Sequence, residues 1–275
     1  MTLQTDGFPP DAGTKRRVLS ELVNAIFSHL YGTSSGRYIL NGVARWVGKR
    51  KITVQVRDCH LNFLAGLGHS ERRAANLELK EPETLSWIDD FESDSLFWDV
   101  GASTGIYSVY AAVTRKSKVI AIEPSPYNTP IIAENLRLNN IERQVTVLPI
   151  ALSSESSPVT FELESDEIGS SQHQLITEDS HAESARIQYG TVAFSIDDLI
   201  DHMKIPRPNY IKIDVDGLEH LVLQGARKCL NEIRGVLIEI PQDPDRQQKV
   251  NLLLAGAGLS RTSESRYNAI WERLP

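Results

Sequence analysis

At 275 residues, with 41% hydrophobic side chains and a formal charge of −7, the chain can bury one substantial core and is too apolar for global disorder. Its acidic balance excludes the basic stripe that a nucleic-acid binder needs, and the short clusters Lys15-Arg16-Arg17 and Lys49-Arg50-Lys51 read as solvated surface. Only two cysteines occur, Cys59 and Cys229, without CxxC spacing, which excludes a Cys-rich zinc site and fits a reducing compartment.

No apolar run approaches the roughly 20 residues of a membrane span, and the polar start, Met1 to Gly13, lacks a signal-peptide pattern. Cytoplasmic localisation without membrane insertion is therefore expected. From Lys15 to Leu30, apolar residues recur at helical spacing (Val18, Leu19, Leu22, Val23, Ile26, Phe27), and Tyr31 to Gly36 reads as the loop that ends this helix. Ile52–Val56 alternates as a strand, with His60–Leu64 as its hairpin partner. Glu83–Phe91 follows Pro82 as a helix.

Beyond Leu96 the pattern changes. Buried strands are expected at Leu96–Val100, Lys118–Ile122, Val145–Leu148, Tyr210–Ile213 and Val236–Ile240. Helical stretches at Ile106–Thr114, Thr129–Asn139, Ser195–Met203 and Leu218–Leu230 alternate with them, which signals a parallel sheet covered on both faces. A helix near Gln247–Ala257, then Gly258–Thr262 and Asn268–Glu272, would close the sheet with an antiparallel hairpin. The stretch of about 153–190 is polar, aperiodic and long for a loop, so it reads as an insertion covering the ligand side. Residues 1–74 are expected to form a tail, a helix and a small hairpin cap, and residues 75–275 the ligand-binding domain.

The chemistry concentrates at strand ends. The first core strand runs into Asp99-Val-Gly-Ala-Ser-Thr-Gly105, a glycine-rich turn feeding a helix whose N-terminus favours an anion. Glu123 ends the next strand, 22 residues after Gly101, about the interval at which a carboxylate takes ribose hydroxyls. Together these predict an adenosine-containing cofactor. Ser103 stands where a dinucleotide fold has its second glycine, and Asp99 would repel a pyrophosphate while suiting a sulfonium or ammonium.

The chain resembles the FkbM-type methyltransferase family in Phe97 to Ser108, Val119-Ile-Ala-Ile-Glu-Pro-Ser-Pro126, Ala151-Leu-Ser153 and Tyr210-Ile-Lys-Ile-Asp-Val-Asp-Gly-Leu-Glu219. The resemblance spans about residues 75–240 and departs mildly at Ser103, where the family commonly has Asn, and at Asp216-Gly217, where it has Glu-Gly. It implies a Rossmann-like class I methyltransferase fold, α/β, with a mostly parallel seven-stranded sheet and a C-terminal antiparallel hairpin. It also implies S-adenosyl-L-methionine as cofactor and O-methylation of a sugar, polyketide-like or other small-molecule hydroxyl. Cofactor contacts are then expected from Asp99, Gly101, Ala102, Ser103, Gly105, Glu123, Pro124, Ser125, Ala151, Leu152 and Asp214.

Asp214, Asp216 and Glu219 reach the same end of the sheet and are the candidates for catalysis, one of them as general base. No third metal ligand is placed by a motif, so a metal-free site is expected. His173, His220 and Glu239 are weaker candidates, and Trp46, Trp87 and Trp98 read as packing residues. Two other functions fit parts of the pattern: an NAD-dependent oxidoreductase, which the glycine spacing disfavours, and a non-catalytic nucleoside-binding module on the same fold.

Overall fold

The computed structural model describes residues 14–66, 70–163, 174–176 and 187–274. The chain forms two compact units, Met1–Arg50 and Lys51–Pro275. In the first, α1 (Thr14–Tyr31) is followed by α2 (Ser34–Val47). The second helix was not expected. Thr33, which looks like loop chemistry closing the first helix, is the N-cap of the next, its side chain accepting from Gly36 N–H at 2.9 Å.

The second unit opens with the antiparallel hairpin β1 (Lys51–Val56) and β2 (Cys59–Leu64). Short helices α3 (Ser70–Ala75) and α4 (Leu77–Lys80) lead to α5 (Pro82–Asp89), which begins on proline. The strand–helix alternation then follows: β3 (Leu96–Val100), α6 (Ile106–Thr114), β4 (Lys118–Ile122), α7 (Thr129–Leu138) and β5 (Val145–Leu148). Next come β6 (Ala151–Leu152), β7 (Ser157–Leu163), β8 (Gln174–Ile176) and β9 (Ile187–Phe194). After α8 (Ile196–Asp201), β10 (Tyr210–Ile213), α9 (Glu219–Gln224), α10 (Arg227–Leu230), β11 (Gly235–Glu239) and α11 (Pro244–Gly256), the hairpin β12 (Ser260–Glu264) and β13 (Asn268–Glu272) ends the chain.

Seven strands form the main sheet in the order β12-β13-β11-β10-β3-β4-β5, parallel except for the C-terminal hairpin. Its strands read as apolar runs because both faces are covered. Phe97 packs on one face with Trp87 and Phe91 of the α5 region and with α6, and Trp98 and Val100 pack on the other with α8 to α11. Leu61 and Phe63 of the hairpin join the first of these cores, and Asn135 Oδ1 on α7 accepts Leu64 N–H at 2.8 Å. The hairpin thus groups with the sheet-bearing unit. The single helix expected over Leu218–Leu230 is two, broken at Gly225, where a Cβ would overlap the Ser153 carbonyl oxygen.

The polar stretch after β5 is not irregular in its described parts. It forms a second sheet, β6-β9-β7-β8, with β7 and β9 antiparallel over seven residue pairs from Ser157↔Ala193 to Leu163↔Ile187. His173 and the expected flexible point Gly169-Ser170-Ser171 lie outside the described residues. No helix among the described residues is long and apolar enough to cross a membrane.

Candidate active site

The main sheet changes direction between β3 and β10. From β3 the chain winds outward to β4 and β5, whereas β10 and β11 lie on the other side. At such a switch point the loops leaving two neighbouring strands part, and a crevice opens at their carboxyl ends. Gly101, the first residue beyond β3, has φ +79° and donates its N–H to Ile122 O at 3.0 Å. A Cβ there would overlap the carbonyl oxygen of Asp214, at the end of β10. The close approach of this second backbone leaves room for glycine alone.

The loop continues through Ser103, whose φ of +51° is rare outside glycine. That conformation aims the Ser103 N–H at Glu123 Oε2, 2.7 Å away. Glu123 Oε1 accepts from Ser125 N–H at 2.9 Å and from Asn128 Nδ2 at 3.3 Å, so one side chain ties the ends of β3 and β4 together. Glu123 is 3% exposed. Burial pushes its carboxyl up to about 7, against the pull of those three donors.

A cleft of about 670 Å³ opens here. Among the expected site residues, Gly101, Ser103, Glu123, Pro124, Ala151, Leu152, Asp214 and Asp216 line it. Apolar walls come from Val100, Ile122, Ile150 and Val215, and the small sheet adds Phe161. Tyr189 on β9 donates its hydroxyl to Pro124 O at 2.8 Å, fastening that sheet to the β4 loop. Arg73 of α3 also lines the cleft; no motif marks it in the sequence.

Asp99, Ala102, Gly105, Ser125 and Glu219 are not among the lining residues. Asp99 is buried, and Ser108 Oγ on α6 donates to its Oδ2 at 2.6 Å. Gly105, at φ +75°, precedes α6. Ser125 supplies a backbone donor to Glu123. Glu219 is fully buried and accepts from Gly217 N–H at 2.9 Å and Val215 N–H at 3.3 Å, clamping the turn after β10 from the first residue of α9.

Asp214 and Asp216 remain as carboxylates in the cleft wall, Asp216 at a φ of +53°. Burial works to raise the Asp214 pKa, but the Lys212 ammonium, 2.7 Å from Oδ2, outweighs it and holds the carboxyl below its ordinary value. Glu239, at the end of β11, goes the other way: burial first, then the charges of Asp214, Glu219 and Asp216, push it up to about 8. His220 is buried on α9, and burial lowers its pKa, so it stays neutral near pH 7. Among the described residues no group of three or more His, Cys, Asp or Glu side chains is arranged to hold a metal ion.

The chain is similar to known methyltransferases. The FkbM methyltransferase domain matches residues 99–269. A hexuronic acid methyltransferase, AglP, of Haloferax volcanii is 31% identical over 175 residues, which are 63% of this chain and 66% of that protein's length. Among solved structures, a precorrin-6y C5,15-methyltransferase of Geobacter metallireducens superposes with a TM-score of 0.43 at 14% identity, over 70% of this chain and 87% of that one. A ribosomal protein L11 methylase of Lactobacillus delbrueckii subsp. bulgaricus gives 0.45 at 12% identity, over 71% and 79%. With the family match spanning more than half of its residues, from Asp99 through Glu123 and Asp214 to β13, the chain belongs to the FkbM methyltransferases, which are S-adenosylmethionine-dependent enzymes of Rossmann-like α/β fold.

Proposed function

We propose that the chain methylates a hydroxyl of a sugar or similar small molecule, with a carboxylate-bearing sugar as the favoured acceptor. The observation that carries this reading is the cleft at the switch point, with Glu123 on the β4 side and Asp214 on the β10 side. S-adenosylmethionine fits that donor set: a carboxylate for ribose hydroxyls, apolar walls for a flat base, and a second carboxylate for a cationic end. The chemistry supplied by the bound cofactor is a methyl carbon already activated on a sulfonium.

What the chain adds is alignment, exclusion of water and a route for the acceptor's proton. Glu123 takes the ribose hydroxyls, and Ile122, Leu152 and Phe161 enclose the base. Asp214, paired with Lys212, opposes the positive charge. Asp216, which lines the cleft beside Asp214, is the proton acceptor in this reading, and Glu239 is close enough for its charge to alter that capacity. Arg73 is the cation that would meet an acid group on the acceptor, and the hexuronic acid named for the relative motivates that choice. Cytoplasmic placement is part of the same proposal.

The test is calorimetric titration with S-adenosylhomocysteine, followed by labelled methyl transfer to a panel of uronic acids and neutral sugars. Binding with transfer confined to the uronic acids is expected. Transfer to neutral sugars alone would overturn the acceptor class, and binding without any transfer would favour a nucleoside-binding module. Chelation is expected to leave transfer unchanged, because Lys212 already supplies the charge that Asp214 needs. Loss in chelator, restored by Mg²⁺, would overturn the metal-free reading.

A further inference from the structure

Lys212 sits in the middle of β10, in the central part of the sheet, and is 1% exposed. Its neighbours Ile211 and Ile213 point to one core, while Tyr210 belongs to the other, so period-2 alternation puts Lys212 on the α5–α6 face, together with Asp99, its register partner on β3. A lysine buried so deeply is costly unless its charge is matched. Three carboxylates act on it: Asp214, Glu81 and Asp99. Its ammonium also lies 5.1 Å from the centre of the Tyr107 ring on α6.

These carboxylates are not equivalent. Glu81 has its own donors in Thr84 Oγ1 at 3.1 Å and Lys80 Nζ at 2.9 Å, and Asp99 has Ser108. The bond that the Lys212 ammonium makes is to Asp214 Oδ2, at 2.7 Å. Asp214 is also the one of the three that lines the cleft. The lysine thus reaches the site from behind, through a single carboxylate oxygen.

We propose that Lys212 is a positioning residue for the cofactor: from inside the core it fixes the Asp214 carboxylate in one orientation and in its charged form, ready for the cationic methionyl end of S-adenosylmethionine. This rests on the reading of Asp214 as a cofactor-facing group. Other charges reach Asp214 from around it: Lys80 at the end of α4 and Arg73 on α3 favour its ionised form, while Glu239 on β11 and Glu219 on α9 repel one another and Asp214. Without Lys212, burial and those negative neighbours prevail, and Asp214 takes up a proton as the pH falls.

The experiment compares the affinities of S-adenosylmethionine and adenosine, by calorimetry from about pH 5.5 to about pH 8.5, in wild type, Lys212→Met, Asp214→Asn and the double variant. Adenosine lacks the cationic end and controls for the Glu123 side of the cleft. In wild type the titration of Glu123 acts on both ligands alike, so the ratio of S-adenosylmethionine to adenosine affinity is expected to change little with pH. Asp214→Asn should weaken S-adenosylmethionine binding about tenfold at every pH and spare adenosine. Lys212→Met should match that loss at acid pH and recover as the pH rises, and the double variant should lose no more than Asp214→Asn alone. A folded Lys212→Met with wild-type affinity across the range overturns the role of Lys212, whereas a harmless Asp214→Asn overturns the reading of Asp214 beneath it. If Lys212→Met does not fold, the double variant, which removes both charges, decides. It must bind as Asp214→Asn does, and about a tenfold further loss refutes the proposal.

Discussion

Gly101→Ala is expected to destabilise the protein by about 3–5 kcal/mol and to abolish S-adenosylhomocysteine binding in whatever folded fraction remains. Two costs add. The left-handed φ of +79° is unfavourable by about 1–2 kcal/mol for a residue with a Cβ. The new methyl also overlaps the Asp214 carbonyl, and backbone on both sides leaves no flexible side chain to swing away. Parting the strands to make room would break the hydrogen bond of Asp214 N–H to Val100 O, 3.0 Å long at that point. Gly105→Ala is the control, because its Cβ would meet an Ile132 methyl at 3.1 Å, a contact that side-chain adjustment relieves. Urea unfolding reads both. Equal midpoints for Gly101→Ala and wild type would sink the account of the glycine.

The second large effect is at Glu123. Glu123→Ala leaves the N–H groups of Ser103 and Ser125 and the Asn128 amide without their acceptor, a loss of about 2–4 kcal/mol in stability. Cofactor binding should weaken by about 1–3 kcal/mol beyond that. Glu123→Gln is no remedy, since its amide sets a donor against one of two backbone donors. The carboxyl also titrates within reach. Its pKa of about 7 lies above the ordinary 4.5, so the stability held by its protonated form is complete below about pH 4.5 and is lost as pH rises through about 7. Ribose hydroxyls favour the carboxylate, hence binding near pH 6 is expected to release a proton. Calorimetry in buffers of different ionisation heat measures that release. Finding it undiminished in Glu123→Gln would assign the proton to another group.

The parallel core was legible because its strands are buried on both faces and written as unbroken apolar runs against glycine. The bounds of β3, α6, β4, β5 and β10 agree with the residue patterns to the residue. Three features escaped. Thr33 to Gly36 carries loop-like residues that in fact start α2, since a helix N-cap and a turn favour the same side chains. The strands of the small sheet have mixed polar faces, so β7 and β9 lack a clear period. The electrostatics of the site depend on Arg73 and Glu81, which only folding brings near Asp214, and on the burial of Lys212 two residues before it. Lys212 in particular looks like one polar letter in an apolar strand. The motif located the cleft, and folding adds that Asp99 Oδ2 accepts from Ser108 and Glu219 Oε1 from the turn after β10.

The small sheet has one more property. It leaves the chain at β6 and returns at β9, and these two strands are hydrogen-bonded neighbours, Ala151 opposite Ala193 and Leu152 opposite Phe194. An excursion whose stem is closed in this way behaves as a graft. Its length is nearly free, because the entropy of closing a loop grows only slowly with the number of residues it holds. Beyond the stem it is tied to the rest of the domain at single points, such as the Tyr189 hydroxyl on Pro124 O. One wall of the cleft can therefore be lengthened, shortened or exchanged while Gly101, Glu123 and Asp214 keep their places, which is how a fixed donor chemistry can be fitted to different acceptors without refolding the sheet beneath it.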